Sequence, residues 1–353
     1  IPVTRGQIVI TEEQDRSPST MRRLMPWLNL LLVVALLGIG VWYLADKVSL
    51  ADILQALSLA KPIPILIGLG IMLLTVLLKT WRWQIMFVER EQKPSFVAAF
   101  WALTLGQYVN LIVPFLRLGE IARIYALNRQ TQIPMSRSIG TLVVEKVLDI
   151  FILALTVAVI MPFVILPDFV GQPGPLLWLL PILLLLILYF FAYETDKITR
   201  ILQNIAARLP DNWMQRPLQW MISGLEGLGA LRSGRTSLIL VLLTAVIGVL
   251  AVLLPYVLFS AFDLQLSLVD AALIHVVVTI ATTPPSTPGK LGIFNGAVAI
   301  MLYGFGVSND AAIISYSIVF HLVVIVPQIL LGTVAAVKTD WHWQSTVEQG
   351  SLT

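Results

Sequence analysis

The chain has 353 residues, 58% hydrophobic and only 12% charged, against roughly a quarter charged in soluble domains, so it reads as a polytopic membrane protein. Its net charge of +3 does not point to nucleic acid, and no nucleic-acid partner is expected, because the basic residues border apolar stretches. With no cysteine and three scattered histidines (His275, His321, His342), disulfides, thiol nucleophiles and thiolate metal sites are excluded, and neither a metal nor another cofactor is expected.

Residues 1–24 are polar and mixed in charge and are expected to be a disordered tail. Crossing a bilayer takes about 20 apolar residues. The stretches 25–45, 62–81, 138–166, 176–193, 237–262 and 311–337 meet that need. Two further apolar regions, 96–130 and 268–307, are each broken in the middle. Lysines and arginines gather before the first span, after the second, between 194 and 236, and after the last. That pattern places both termini in the cytoplasm and the protein in the cell (inner) membrane. The segment 194–236 opens with "DKITRILQNIAARL", whose Ile198, Ile201, Leu202, Ile205 and Leu209 share one face, the pattern of a helix lying on the membrane surface. Residues 49–60 have a similar pattern, and 339–353 form a second cytoplasmic tail. Arg82, in "KTWRWQ", reads as an interfacial anchor.

In the first broken region an apolar arm ends at Pro114 and a link with Arg117, Gly119 and Glu120 leads into a second arm. In the second region, the link "TTPPSTPGKLGIFNG" carries Pro284, Pro288, Gly289 and Gly292. Proline stops a helix and glycine permits a tight reversal. Arms of half a bilayer length joined by such a link describe re-entrant helical hairpins. Each hairpin is flanked by spans, which makes 62–166 and 237–338 candidate inverted repeats within one transmembrane domain, 25–338. The expected fold is therefore all-α: about six full spans plus two re-entrant hairpins. The link is not a phosphate-binding loop, because Pro284 stands where its first glycine belongs and Leu291 where its Ser/Thr belongs.

Ionisable residues inside spans need a partner or a task. Glu145 and Asp149 lie four apart on one helical face, with Lys146 beside them. They line a headgroup path or carry protons, or else pair internally with Arg117 or Arg123. Glu120 and Arg123 stand one turn apart next to Arg117, and arginine suits phosphate through its bidentate fork. Lys290 and Asn295 flank the second break, and His321 sits inside the last span. These eight residues are the candidate substrate-binding set; no catalytic residue is assigned.

The strings "GQYVNLIVPFLRLGEIARIYAL", "TLVVEKVLDI" and "TPGKLGIFNGAVAIMLYGFGV" occur in that order. Over about 50–340 the chain resembles the flippase-like membrane domain of lysylphosphatidylglycerol synthases, in the form that stands alone. The resemblance implies movement of a lipid, or a lipid-linked headgroup, between leaflets. Asn295 replaces a usually acidic residue of that family, and Lys290 a frequent glycine or asparagine. No aminoacyl-transferase domain is read here, so lysyl transfer is not expected. The partner implied is a membrane lipid with an anionic or polyprenyl-phosphate headgroup, with a second copy of the chain or a separate lipid synthase as further partners. The rival readings are a membrane-embedded lipid-modifying transferase and a scaffold for a synthase.

Overall fold

The computed structural model describes residues 51, 58, 60–87, 93–113, 118–163, 182–183, 186, 193–206, 233–284 and 287–339. The expected spans 25–45 and 176–193, both tails, the 49–60 segment, Pro114 and Arg117 lie wholly or almost wholly outside them. Among the described residues every regular element is a helix, as lipid demands of a chain whose backbone groups must all be satisfied internally. The protein is an all-helical polytopic membrane protein.

Helix α1 is Pro62–Ile85, α2 Phe96–Ile112, α3 Leu118–Thr131, α4 Met135–Ile160 and α5 Thr195–Ala206. After these come α6 Gly234–Phe259, α7 Leu268–Ala281, α8 Ile293–Gly304 and α9 Asp310–Lys338. α1, α6 and α9 are long and apolar enough to cross a membrane. α4 is as long, but carries Glu145, Lys146 and Asp149. Both broken regions are indeed paired shorter helices, α2 with α3 and α7 with α8, and each pair packs together.

Local chemistry sets the ends. Pro62 and Pro64 open α1, where a missing N–H costs nothing. Ser95 caps α2 by accepting from Ala98 N at 3.1 Å. Ser267 and Asp270 form a reciprocal capping box at α7. In the second link, left-handed φ values of 67° at Gly289 and 79° at Gly292 make the reversal, as expected of those glycines. Pro288 is buried and starts a single 3-10 turn, while Pro284 is exposed just past the end of α7.

Gly119 plays a different part from the one expected. It is not in the break but inside α3, and a Cβ there would stand 1.9 Å from the Gly106 carbonyl oxygen. The reverse substitution at Gly106 would meet Gly119 O at 2.6 Å. Two backbones touch at this point, and only glycine fits.

The packing partners follow a pattern across the two units. α1 packs on α2 and α6 on α7; α3 packs on α4 and α8 on α9. α9 packs on α2 and α4 on α7; α9 packs on α1 and α4 on α6. Exchanging α1–α4 for α6–α9 in order thus returns each of these contacts, while the packing of α6 on α9 has no counterpart of similar extent. At the centre α1 packs against α6, antiparallel: Lys61 N donates to Ala261 O at 2.9 Å, while Arg82, near the other end of α1, reaches Thr244 in the first half of α6. Lys61 also pairs with Asp263, which follows α6. One apolar core surrounds Trp83, Leu127 and Leu148, and a second surrounds Leu258, Tyr316 and Phe320. Ile160 with Ala272 and Val276 forms a smaller patch between α4 and α7.

Candidate functional site

The approach of Gly106 to Gly119 brings α3 against α2, and α3 then presents two charged side chains to α4. Arg123 donates to Glu145 through both terminal nitrogens, at 3.3 and 2.5 Å. Both side chains are buried, and the guanidinium also lies over the Trp83 ring, 4.6 Å from its centre. Trp83 is fixed in turn by donating from Nε1 to Thr141 Oγ1 at 2.9 Å. One turn back on α3, Glu120 accepts from Lys146 Nζ at 2.7 Å. Glu120 and Arg123 therefore serve α4 and not one another.

Asp149 finds its partner on α1. Arg82 Nη2 donates to it at 2.7 Å, and Arg82 Nη1 to Thr244 Oγ1 at 3.2 Å. This overturns the reading of Arg82 as an interfacial anchor: its side chain is 1% exposed. Position 82 turns inward with Trp83, one turn on from Lys79, which is itself half-buried. The signal was present in the sequence. Lys79 is an ionisable residue inside an apolar stretch, and Arg82 follows it at helical spacing on the same side.

α1, α3 and α4 thus assemble three cation–carboxylate pairs in one place, with Thr244 of α6 completing the shell. Of the eight expected residues, Glu120, Arg123, Glu145 and Asp149 meet here; Arg117 lies outside the described residues. The Nε–H groups of Arg82 and Arg123 are buried with no acceptor among the described residues. Bidentate arginine pairs are strong and directional. A buried donor left over is costly, by roughly 1–3 kcal/mol.

Asn295 and His321 meet elsewhere, at the second break. His321 stacks on Phe294, ring centres 4.5 Å apart, and its two nitrogens face Asn295 Oδ1 at 3.0 Å and Gly289 O at 2.9 Å. Asn295 Nδ2 donates to Ser317 O at 3.1 Å, which fixes the amide with its oxygen toward the ring. Both ring nitrogens therefore face acceptors, whereas a neutral imidazole has one N–H to give. Lys290 takes a left-handed φ of 57° and is half-buried beside this network. The expected set thus divides into a charged cluster at the first pair of short helices and a polar clasp at the second.

Over residues 28–332 the sequence matches the family described as the lysylphosphatidylglycerol synthase TM region, which reaches further toward the amino end than the motifs alone. No curated protein and no solved structure matches the chain. Since the match spans most of its length, the chain belongs to the lysylphosphatidylglycerol synthase TM-region family, and its function is tied to membrane lipid.

Proposed function

We propose that the protein moves a phospholipid or polyprenyl-linked headgroup between the leaflets of the cell membrane, through a polar cleft between two inverted repeats. The observation that carries this reading is the charged cluster on α1, α3 and α4: three ion pairs inside the membrane domain of a lipid family, assembled at a broken helix pair. Ionisable groups at such depth mark substrate paths in membrane proteins, and broken helices in transporters build the substrate site where repeats meet. The antiparallel α1 and α6 support the inversion, because the leading helices of the two units then cross in opposite senses. The paired contacts of the two units support it equally. On this reading α2–α3 and α7–α8 are re-entrant, both termini are cytoplasmic, and α5 lies on the inner surface, where Ile201 is 57% exposed.

The substrate's phosphate is met by cations of the cluster, and its hydroxyls or amines by the carboxylates. No step of bond making is needed, so the reading is of a transporter and not an enzyme. The test is purified protein in liposomes bearing a fluorescent phospholipid on both leaflets. Translocation makes the inner-leaflet dye reducible by external dithionite. Protein-free and protein-loaded liposomes that bleach alike, under an imposed proton gradient and without one, would refute it.

A further inference from the structure

Three cations of the cluster are matched one to one by carboxylates: Arg82 by Asp149, Arg123 by Glu145 and Lys146 by Glu120. A fourth cation, Lys79, stands one turn before Arg82 on α1. Of the charged groups around it Asp149 acts on it most strongly, with Arg82, Glu145 and Lys146 also within its field, and Lys79 in turn acts on His275 of α7. Among the described residues, Lys79 makes no hydrogen bond or ion pair. Counted over the described residues, and with Lys79 protonated, the cluster holds one positive charge more than its carboxylates neutralise.

The excess also has a direction. Arg82 is 1% exposed while the Asp149 and Lys146 side chains are each 41% exposed, so the cluster is closed behind the arginine and open along its α4 edge. Asp149 already pairs with Arg82, so its one negative charge is shared between that guanidinium and the Lys79 ammonium. An uncompensated ammonium in a span is costly, and an anion arriving at this edge removes that cost.

We propose that Lys79 binds the phosphate of a lipid whose headgroup bears a single net negative charge, one lipid per protein. This rests on the lipid-translocation reading above and names its substrate class. A zwitterionic headgroup presents the same phosphate but brings its own ammonium beside Lys79 and Arg82, and so leaves the excess charge in place. Free phosphate offers the same contact without acyl chains.

Native mass spectrometry of the full chain in detergent tests this with three probes: dioctanoyl phosphatidylglycerol, dioctanoyl phosphatidylcholine and inorganic phosphate. The expected result is saturable binding of one phosphatidylglycerol, about tenfold tighter than phosphatidylcholine. Lys79→Met should weaken it by about tenfold or more, and Lys79→Arg should keep it. Lys93→Met, at an exposed position after α1, should change nothing. Lys79→Met should also leave Tm unchanged or raised, because it removes an unmatched charge. Equal affinity in Lys79→Met and the parent overturns the proposal, as does equal affinity for the two lipids. Displacement of the lipid by inorganic phosphate at matched concentration would assign the site to a soluble anion and overturn it as well. Binding is read here without transport: a protein that binds through Lys79 yet bleaches like empty liposomes refutes translocation and leaves the Lys79 site standing.

Discussion

Arg123 grips Glu145 with both ends of its guanidinium, and neither side chain reaches solvent to any extent, at 6% and 11% exposed. Replacing one member of such a pair strands the other in an apolar setting, whereas replacing both with apolar groups of similar volume is often neutral.

The single change Arg123→Met should therefore cost about 3–5 kcal/mol, seen as a large drop in Tm in detergent. The double change Arg123→Met with Glu145→Leu should recover most of that loss. Lipid movement should be lost in both, which separates a task in transport from a task in holding helices together. A well-folded double variant that still moves lipid would show the pair to be structural only.

Arg82→Glu should be among the most damaging single substitutions in the chain. It sets a buried carboxylate against Asp149 and removes the donor to Thr244. A loss of about 3–5 kcal/mol is expected, with little protein surviving extraction. An interfacial anchor would have tolerated the same change with no fall in thermal stability.

At Gly119 the test is steric. Gly119→Ala forces a methyl group to within 1.9 Å of Gly106 O, and backbone cannot yield as a flexible side chain can. Overpacking of this kind costs about 1–3 kcal/mol. Gly70→Ala meets nothing within 4 Å on the exposed side of α1 and should stabilise that helix, by up to about 1 kcal/mol. Thermal unfolding of the two variants side by side reads the contrast.

His321→Leu leaves Gly289 O and Asn295 Oδ1 facing a side chain that can donate to neither. Stability should fall by about 1–3 kcal/mol, and the second link should loosen. The naturally cysteine-free chain lets a single cysteine at Thr287 report this: its labelling should be faster in the His321→Leu background. In the parent, ¹⁵N shifts of the His321 ring count its protons directly. Two N–H groups would mean that both acceptors are served.

Topology can be read with the same cysteine-free background. Cysteines placed at Lys61 and Asp263 should label from one side of the membrane, and those at Lys93 and Arg235 from the other. Labelling of all four from a single side would end the inverted-repeat reading.

Hydropathy and breaker residues were enough to locate every described helix of the two units to within about six residues at each end. α1 runs four residues beyond its expected end at 81, and α4 begins at 135 and ends at 160 where 138–166 was expected. The pairing of charges was legible only in part. Glu145 and Asp149 stood out because carboxylates are rare in spans, and Arg123 was one of the two partners weighed for them. Arg82 was misread because a basic residue after an apolar run fits the positive-inside pattern whether it faces headgroups or protein. Only the inward turn of α1, which follows from its packing against α6, decides between them. Gly119 was noticed for its residue type, but its reason, contact with a backbone thirteen positions away, belongs to tertiary structure.

The three ion pairs are drawn entirely from α1, α3 and α4, so a ribosome has released every one of these charges before α6 exists. A lone ionised side chain entering lipid costs roughly 2.5–3.5 kcal/mol, and one that enters beside its counter-ion costs less. The faces of α1 and α2 that later receive α6 and α9 can wait against lipid tails, which are as apolar as leucine. Synthesis from the amino end therefore completes these three pairs first and leaves the packing of one unit on the other for last.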